Sequence, residues 1–176
     1  MRTIVNMVER LRDRFDFYII TRDHDGPLDK ESYTNVKIGE WNNINGAQVY
    51  YLHKDAITFS KLRELILEVQ PDSIYTNSYF ATLAIYMLIL RKLRRIPKYN
   101  VIVAPCGELS EGALSLKPEK KKLFLGISKL SNLYENITWK ASNEEERTEI
   151  EKVKARVGKI FIAPELTPKI IFENYD

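Results

Sequence analysis

The sequence predicts an α/β fold, a Rossmann-like parallel β-sheet with helices on both faces. Two observations carry this prediction. Short runs of β-branched and aromatic residues alternate with helical segments along the chain, which is the pattern of βαβ units with right-handed crossovers. One run, residues 100–104 (NVIVA), is apolar throughout, which is typical of a strand that is buried on both faces of a parallel sheet.

The first elements follow from local patterns. Residues 1–14 predict a helix, because apolar side chains recur there every three to four positions. Residues 15–21 (FDFYIIT) are aromatic and β-branched and predict a strand, and a polar loop with Gly-Pro follows. Residues 36–45 predict a short strand and a turn, and residues 48–53 (QVYYLH) predict a second clear strand.

In the middle of the chain, residues 60–69 predict a helix with Ser60 as its N-cap. Residues 73–76 (SIYT) predict a strand, and a largely apolar helix is predicted over residues 79–95, before a proline ends it. The apolar strand over residues 100–104 comes next. The region therefore reads as strand, helix and strand in succession, as a parallel sheet requires.

The last elements are a helix over residues 119–133, a short strand over 136–140, a helix over 142–157 and a strand over 159–163 (KIFIA). Ser142 with Glu145 predicts a capping box at the start of the third of these elements. The prediction is one domain over residues 1–163, followed by a tail or the start of an interdomain linker over residues 164–176.

Composition limits the function classes. The chain has 176 residues, 44% hydrophobic and 29% charged, so one folded domain is expected, and a net charge of +3 is too small to indicate nucleic-acid binding. The single cysteine, Cys106, excludes an internal disulfide and favours a reducing, cytoplasmic compartment. Two histidines and one cysteine form no zinc-type cluster. The longest apolar run, near residues 80–90, is shorter than the ~20 residues of a spanning helix.

One feature of the order is unusual for this fold. A doubly wound domain usually begins with a strand in the middle of the sheet, whereas this chain begins with a helix. We expect that a first strand and its loop are missing, or that another segment closes the sheet. A candidate strand in the tail, over residues 169–173, could close the sheet, in cis or from a neighbouring molecule.

Ligands of parallel sheets bind at the C-terminal ends of the strands, so the loops there hold the candidate site. Gly107 and Glu108 follow the buried strand. Gly107 would let a sugar approach the backbone closely, and the carboxylate of Glu108 would accept hydrogen bonds from sugar hydroxyls. Asn77 and Ser78 follow the strand SIYT and would line the cleft, or cap the next helix. Three lysines beyond the glycine loop would bind phosphate or an anionic acceptor, or form a solvated face: Lys117, Lys120 and Lys121.

The remaining motifs do not indicate a specific function. Asp23, His24 and Asp25 suggest a metal or acid–base site, but no second segment supplies matching ligands, which favours a polar loop. The sequence has no phosphate-binding G-x-x-x-x-G-K-S/T, no G-x-G-x-x-G after a strand, no G-x-S-x-G and no H-E-x-x-H. A nucleotide hydrolase, a dehydrogenase and a serine hydrolase are therefore disfavoured. No residue stands out as a catalytic nucleophile or base.

Five segments together resemble the family-four glycosyltransferases. The string APCGELSEGALSLKPEKKKLF is similar to the family's A-P-R-G-E-hydrophobic-S-x-G-A-L-x-x-K-x-x-K-K. FDFYIITRDHD, SIYTNSYFA, ITWKASNEEE and KIFIAPELTP resemble, in order, its second strand, its N-S loop, its I-T-W-H-A-T-S-x-x-E region and the I-A-P-N-x-P that ends its first domain. The resemblance covers nearly the whole chain.

The resemblance implies the first half of a GT-B fold, two Rossmann-like domains that face each other across a cleft. The N-terminal domain mainly receives the acceptor, and the C-terminal domain holds the nucleotide-diphosphate sugar. It further implies hexosyl transfer to a glycan or lipid-linked acceptor in surface-polysaccharide assembly, with retention of configuration, no cofactor and no essential metal. The first strand with its Gly-Gly loop and the donor domain would lie outside this chain, which is therefore expected to be inactive when isolated.

The chain departs from the family pattern at three positions. Cys106 replaces an arginine, Lys140 replaces a histidine and Glu165 replaces an asparagine. Because a thiol lacks the charge and the donors of a guanidinium, an alternative is a non-catalytic binding or assembly module with the same fold. The basic segments 91–95 and 117–122 suggest peripheral contact with an anionic membrane. The sequence also allows a homodimer.

Overall fold

The structure, a computed structural model, describes residues 2–25, 31–116, 118–153 and 158–169. The chain divides into two compact units, Met1–Ile57 with Glu165–Asp176, and Thr58–Pro164. The assignment of a single domain to residues 1–163 stays a prediction. In the described part of the chain, no helix combines the length and the apolar character that crossing a membrane requires.

The first unit is built on a three-stranded sheet. Its elements in chain order are α1 Arg2–Leu11, β1 Phe17–Arg22, β2 Trp41–Ile44, β3 Ala47–Leu52 and a short 3-10 helix Lys54–Ala56. The strand order is β1-β3-β2, with β1 parallel and β2 antiparallel to β3. A two-residue turn joins β2 to β3, and both of its residues, Asn45 (φ 51°) and Gly46 (φ 87°), are left-handed, as a tight hairpin requires.

The core of the first unit lies between α1 and the sheet. Val8 of α1 packs with Ala47 and Val49 of β3, because the apolar positions of the helix recur on the face that meets the strand. The tail joins this unit through α1: Asn6 donates to the carbonyl of Leu166 at 2.6 Å, and Arg10 donates to the carbonyl of Thr167 at 2.6 Å. The tail strand expected over residues 169–173 lies outside the described residues, apart from its first residue.

The second unit has the predicted α/β fold, a four-stranded, all-parallel, Rossmann-like sheet flanked by helices, with strand order β4-β5-β6-β7. Its elements in chain order are α2 Phe59–Val69, β4 Ser73–Thr76, α3 Thr82–Lys92, β5 Asn100–Val103, α4 Glu111–Ser115, α5 Pro118–Leu130, β6 Thr138–Ala141, α6 Glu144–Val153 and β7 Ile160–Ile162. Val101 and Val103, which share one face of β5, are buried, whereas Ile102 on the other face is only half-buried, so the burial predicted for both faces is complete on one of them.

Two helix starts differ from the expected caps. The N-cap of α2 is Thr58, whose hydroxyl accepts from the N–H of Lys61 at 3.2 Å, and not Ser60. At α6 the side chain of Asn143 accepts from the N–H of Glu146 at 2.8 Å, one residue after the expected pair of Ser142 and Glu145. In both places two polar residues lie within two positions of each other, so the sequence is compatible with two N-cap positions.

Candidate functional site

The candidate site begins where β5 ends. Ala104 and Pro105 are buried, and Cys106 (φ 54°) and Gly107 (φ 76°) then adopt left-handed conformations in succession. The N–H of Glu108 returns to the carbonyl of Pro105 at 3.2 Å and closes the turn. A left-handed cysteine is unfavourable by roughly 1 kcal/mol or more, so contacts from outside the loop must hold this turn in place.

Glu108 joins the turn to the end of β4. Its carboxylate accepts from the hydroxyl of Ser78 at 2.9 Å and 3.0 Å to its two oxygens. It also accepts from the backbone N–H of Tyr79 at 2.6 Å and of Phe80 at 3.1 Å. Ser78 in turn accepts from the N–H of Ala81 at 2.9 Å, just before α3 begins. Glu108 therefore satisfies backbone donors at the approach to α3, where the chain leaves β4.

Glu146 joins the same turn to the end of β6. One carboxylate oxygen accepts from the N–H of Gly107 at 2.7 Å, and the other accepts from the N–H of Ser142 at 2.7 Å. Glu146 is only 5% exposed, and both bonds are charge-assisted, so they are stronger than bonds between neutral groups. Glu146 is not among the predicted site residues, although the Asn-x-x-Glu spacing from Asn143 is a recognisable capping signal.

A third contact lies beside these two. The thiol of Cys106 donates to the side-chain oxygen of Asn77 at 3.0 Å. The C-terminal ends of β4, β5 and β6 are thereby connected by side-chain contacts on one edge of the sheet. We call the residues of this edge the rim: Asn77, Ser78, Cys106, Gly107, Glu108 and Ser142.

The structure brings together four of the seven predicted site residues, Asn77, Ser78, Gly107 and Glu108. Lys121 is engaged elsewhere, since its ammonium donates to the carbonyl of Ala113 at 2.6 Å and lies 5.1 Å from the ring centroid of Phe80. Lys120 is exposed and has no hydrogen bond or ion pair with a described residue. Lys117 lies outside the described residues. Lys140, on β6, donates to the hydroxyl of Ser142 at 3.1 Å.

Stacked aromatic rings lie next to the rim. Tyr79 stacks on Tyr134 with centroids 4.4 Å apart, and Tyr134 stacks on Trp139 of β6 at 5.4 Å. The hydroxyl of Tyr134 donates to the carbonyl of Tyr79 at 2.8 Å, and the hydroxyl of Tyr79 pairs with Ser128 of α5 at 3.2 Å. Burial raises the pKa of both tyrosines, so both hydroxyls stay neutral. These contacts bury Tyr79, the residue that directly follows Ser78 of the rim.

The loop that follows β1, in the first unit, has its own buried polar contact. Asp23 is 0% exposed and accepts from the hydroxyl of Ser32 at 2.5 Å and from Nδ1 of His24 at 2.7 Å. Burial by itself raises the pKa of Asp23, but the bonds from Ser32 and His24 outweigh it and leave that pKa below its ordinary value. No group of three or more metal-ligating side chains is found among the described residues.

The rim is a polar surface. Its exposed part consists of the Cys106 thiol and the Gly107 backbone, and Asn77 beside them is half-buried. Both carboxylates that hold it, Glu108 and Glu146, already accept hydrogen bonds from protein groups. The arrangement therefore offers hydrogen-bonding groups and close backbone approach to a polar ligand.

The fold and the rim define an α/β chain whose second unit is a Rossmann-like parallel sheet with a built polar edge. We compared the chain with protein-family models, with curated proteins and with solved structures, and none of the three comparisons gave a match.

Proposed function

We propose that this chain is the acceptor-binding domain of a nucleotide-sugar-dependent glycosyltransferase. The reaction is transfer of a hexosyl group to a hydroxyl of a glycan or lipid-linked acceptor during surface-polysaccharide assembly. The proposal rests on the resemblance of five ordered segments to family-four glycosyltransferases and on the position of the residues within them. Three of those segments, those of residues 73–81, 104–124 and 137–146, contribute residues to the rim.

The observation that carries the proposal is the double attachment of the Gly107 turn. Glu108 connects the turn to the end of β4, and Glu146 connects it to the end of β6. The turn has small side chains that let a ligand come close to its backbone, and these two contacts fix its position. It lies at the C-terminal ends of parallel strands, where such sheets bind ligands. A loop fixed before binding loses little conformational entropy when a sugar hydroxyl contacts it.

In the resembled family, the nucleotide-diphosphate sugar is held by a second domain, and transfer requires both halves of the cleft. The 176-residue chain is therefore expected to bind acceptor weakly and to transfer no sugar by itself. Its contribution to the reaction is to hold the acceptor hydroxyl in place. A gain in rate from that positioning appears only when the donor is bound opposite.

A second candidate is a non-catalytic binding or assembly module, and a specific observation favours it. Glu108 and Glu146 both satisfy structural hydrogen bonds, and Cys106 and Lys140 stand where the resembled family has an arginine and a histidine. A module of this kind uses the same rim to bind a glycan without transfer. The two candidates differ in turnover once a donor-binding domain is supplied in cis or in trans.

The test is saccharide binding mapped by NMR on the isotope-labelled chain, with a panel of oligosaccharides and isoprenoid-linked sugars. We expect amide shifts at Asn77, Cys106 and Gly107, with none at the opposite strand ends, Ser73 and Asn100. Shifts confined to those opposite ends, or no shift at millimolar saccharide, would contradict the proposal. Clear transfer from a nucleotide sugar by the isolated chain would contradict the role assigned to the second domain.

A matched pair of variants separates binding from folding. Gly107 (φ 76°) and Gly39 (φ 79°) are both left-handed, and a Cβ at either would meet no atom within 4 Å. Gly107→Ala and Gly39→Ala should each lose about 1 kcal/mol of stability, because both force a side chain into the same strained region. Only Gly107→Ala should weaken saccharide binding. Equal binding by the two variants would place the ligand elsewhere.

A further inference from the structure

One face of helix α5 packs against the rest of the second unit. Ser128 is 3% exposed and pairs with the hydroxyl of Tyr79. Phe124, one turn earlier, packs edge-on against Tyr79 at 5.9 Å and Phe80 at 5.8 Å. Lys121, a further turn back, contacts the same Phe80 ring. The orientation of α5 about its own axis is therefore set by these three positions.

The opposite face of α5 exposes large aliphatic side chains. Leu123 is 66% exposed, Ile127 is 56% exposed and Leu130 is 87% exposed. Their spacing of four and three residues places them in a single stripe along the helix. Leu116, just before the helix, is 68% exposed as well. We call Leu123, Ile127 and Leu130 the α5 stripe. A stripe of this kind differs from singly scattered surface leucines and indicates a contact surface.

Lysines accompany the α5 stripe. Lys120, Lys122 and Lys129 are exposed, and none of them forms an ion pair with a described residue. Glu119 is the one acidic residue within α5. By helical geometry Lys120 precedes the stripe by one turn on the same side, while Lys122 and Lys129 lie along one flank of it. An apolar stripe with cationic neighbours matches the cross-section of an anionic membrane surface, apolar inside and negative outside.

We propose that α5 is a membrane-docking helix, which lies in the plane of an anionic lipid surface. The α5 stripe enters the boundary between headgroups and acyl chains, and Lys120, Lys122 and Lys129 contact lipid phosphates. Because the buried face of α5 is already packed against the second unit, docking requires no rearrangement of that unit. The inference goes beyond the proposed function and does not depend on it, since plain lipid without any saccharide is the binding partner.

The charge of the helix decides between a lipid surface and a second copy of this chain. A symmetric dimer through the α5 stripe would bring the same lysines of two copies toward each other, and like charges at an interface are unfavourable. Three aliphatic side chains also fall short of the roughly 800 Å² that each partner of a stable dimer buries. An anionic bilayer has neither disadvantage, because it supplies negative charge for the lysines and an apolar layer of any extent for the stripe.

The two basic segments predicted from the sequence differ in whether their cations bind other groups of the fold. In α3, Arg91 donates to the carbonyls of Glu135 at 2.9 Å and Asn136 at 2.8 Å, and Lys92 lies 3.6 Å from the carboxylate of Glu135. Those cations therefore hold the loop before β6. Lys120, Lys122 and Lys129 of α5 have no such partner among the described residues, so the membrane contact is assigned to α5 rather than to the basic end of α3.

The experiment is co-sedimentation of the 176-residue chain with vesicles of phosphatidylcholine alone, and with vesicles that carry phosphatidylglycerol, at two salt concentrations. We expect binding to the anionic vesicles only, and weaker binding at the higher salt, because the phosphates attract the lysines within a short screening length. Sedimentation velocity without lipid checks for a dimer.

Two sets of substitutions probe the two components. Leu123→Gln with Ile127→Gln should lower the vesicle partition coefficient by at least about ten-fold, since two aliphatic side chains no longer enter the lipid. Replacing Lys120, Lys122 and Lys129 by Gln should lower it roughly a hundred-fold and remove the salt dependence. Leu93→Gln is the matched control, because Leu93 is an equally exposed leucine, at 63%, at the end of α3.

Each outcome decides the inference. Loss of binding in both sets with unchanged binding of Leu93→Gln supports it, and thermal unfolding confirms that the variants are folded, which the exposure of every substituted side chain leads us to expect. Equal binding by the parent chain and both sets overturns it. A dimer that the Leu123→Gln and Ile127→Gln substitutions dissociate, without vesicle binding, assigns the stripe to a second copy and also overturns it. None of these results bears on saccharide binding at the rim.

Discussion

The carboxylate of Glu146 accepts a hydrogen bond from the backbone N–H of Gly107 at 2.7 Å, across 39 positions of sequence. Its other oxygen binds the N–H of Ser142, at the start of the loop in which the chain leaves β6. One buried side chain thus positions two strand-end loops relative to each other. The left-handed pair Cys106 and Gly107 is stable because of contacts of this kind, which lie outside the turn itself.

The first prediction concerns that carboxylate. Glu146→Gln replaces one accepting oxygen by an amide NH2, which then faces a backbone N–H, so one hydrogen bond is lost and a donor is left unsatisfied. We expect a loss of about 2–3 kcal/mol in the free energy of unfolding, measured by urea denaturation.

The neighbouring Glu145 provides the control for this measurement. Glu145 is exposed in the same first turn of α6, and Glu145→Gln should change stability by less than about 0.5 kcal/mol. Similar losses in the two variants would mean that the general charge of the helix start matters, rather than the two bonds of Glu146.

The second prediction compares two glycines. A Cβ at Gly158 would lie 2.1 Å from the carbonyl oxygen of Ile137 and 3.2 Å from the indole of Trp139. Backbone cannot move aside at low cost, so Gly158→Ala should destabilise the chain by about 3 kcal/mol. A Cβ at Gly126 in α5 would meet nothing within 4 Å, and Gly126→Ala should stabilise by roughly 0.5–1 kcal/mol. Thermal unfolding of both variants measures the opposite signs, and a tolerated Gly158→Ala would refute the close approach.

Much of the fold could be predicted from the sequence, because it depends on local patterns. β4 lies where SIYT predicts it, and β5 ends one residue before the predicted limit. The short helix α4 was missed, since the five residues that form it follow a glycine turn and are framed by serines and a proline, a composition typical of loops. The short strand predicted within residues 36–45 is β2, but its antiparallel direction depends on pairing, which a run of four residues does not reveal.

The candidate site was predictable in part, for a physical reason. The location of Asn77, Ser78, Gly107 and Glu108 follows from the rule that parallel strands end on one edge. The partners of their side chains do not follow from any such rule. Lys121 illustrates the difference: its sequence position predicted a phosphate contact or a solvated face, but its ammonium donates to the carbonyl of Ala113. Whether a lysine ammonium binds a ligand phosphate or a protein carbonyl depends on tertiary packing. Residue spacing does not encode that packing.

The third prediction concerns acid stability. The pKa of Asp23 is below its ordinary value because bonds from Ser32 and His24 outweigh the effect of burial. A lowered folded pKa stabilises the fold above the unfolded pKa of about 3.9, and this stabilisation is lost as the pH falls through the folded value. The stability difference between the parent chain and Asp23→Asn should therefore be full at neutral pH and shrink between about pH 5 and pH 2, measured by urea unfolding at each pH.

A matched variant tests whether this pH dependence belongs to Asp23. Asp13 is exposed just after α1, and Asp13→Asn should leave the pH dependence of unfolding nearly unchanged. A difference between the parent chain and Asp23→Asn that grew toward low pH would have the wrong sign, and would mean that the bonds from Ser32 and His24 do not favour the ionised carboxylate.

The last prediction uses the only cysteine of the chain, Cys106, as a reporter of the rim. Its side chain is exposed and its thiol contacts Asn77, so a saccharide bound at the rim should cover it. We expect a saccharide that gives amide shifts at Gly107 to slow alkylation of Cys106 by iodoacetamide, in proportion to occupancy. In a control chain with Cys106→Ser and Ser60→Cys, the thiol lies instead on the exposed first turn of α2, and the same saccharide should leave its alkylation rate unchanged. Protection of the Ser60→Cys thiol, or full reactivity of Cys106 at saturating saccharide, would show that the ligand does not occupy the rim.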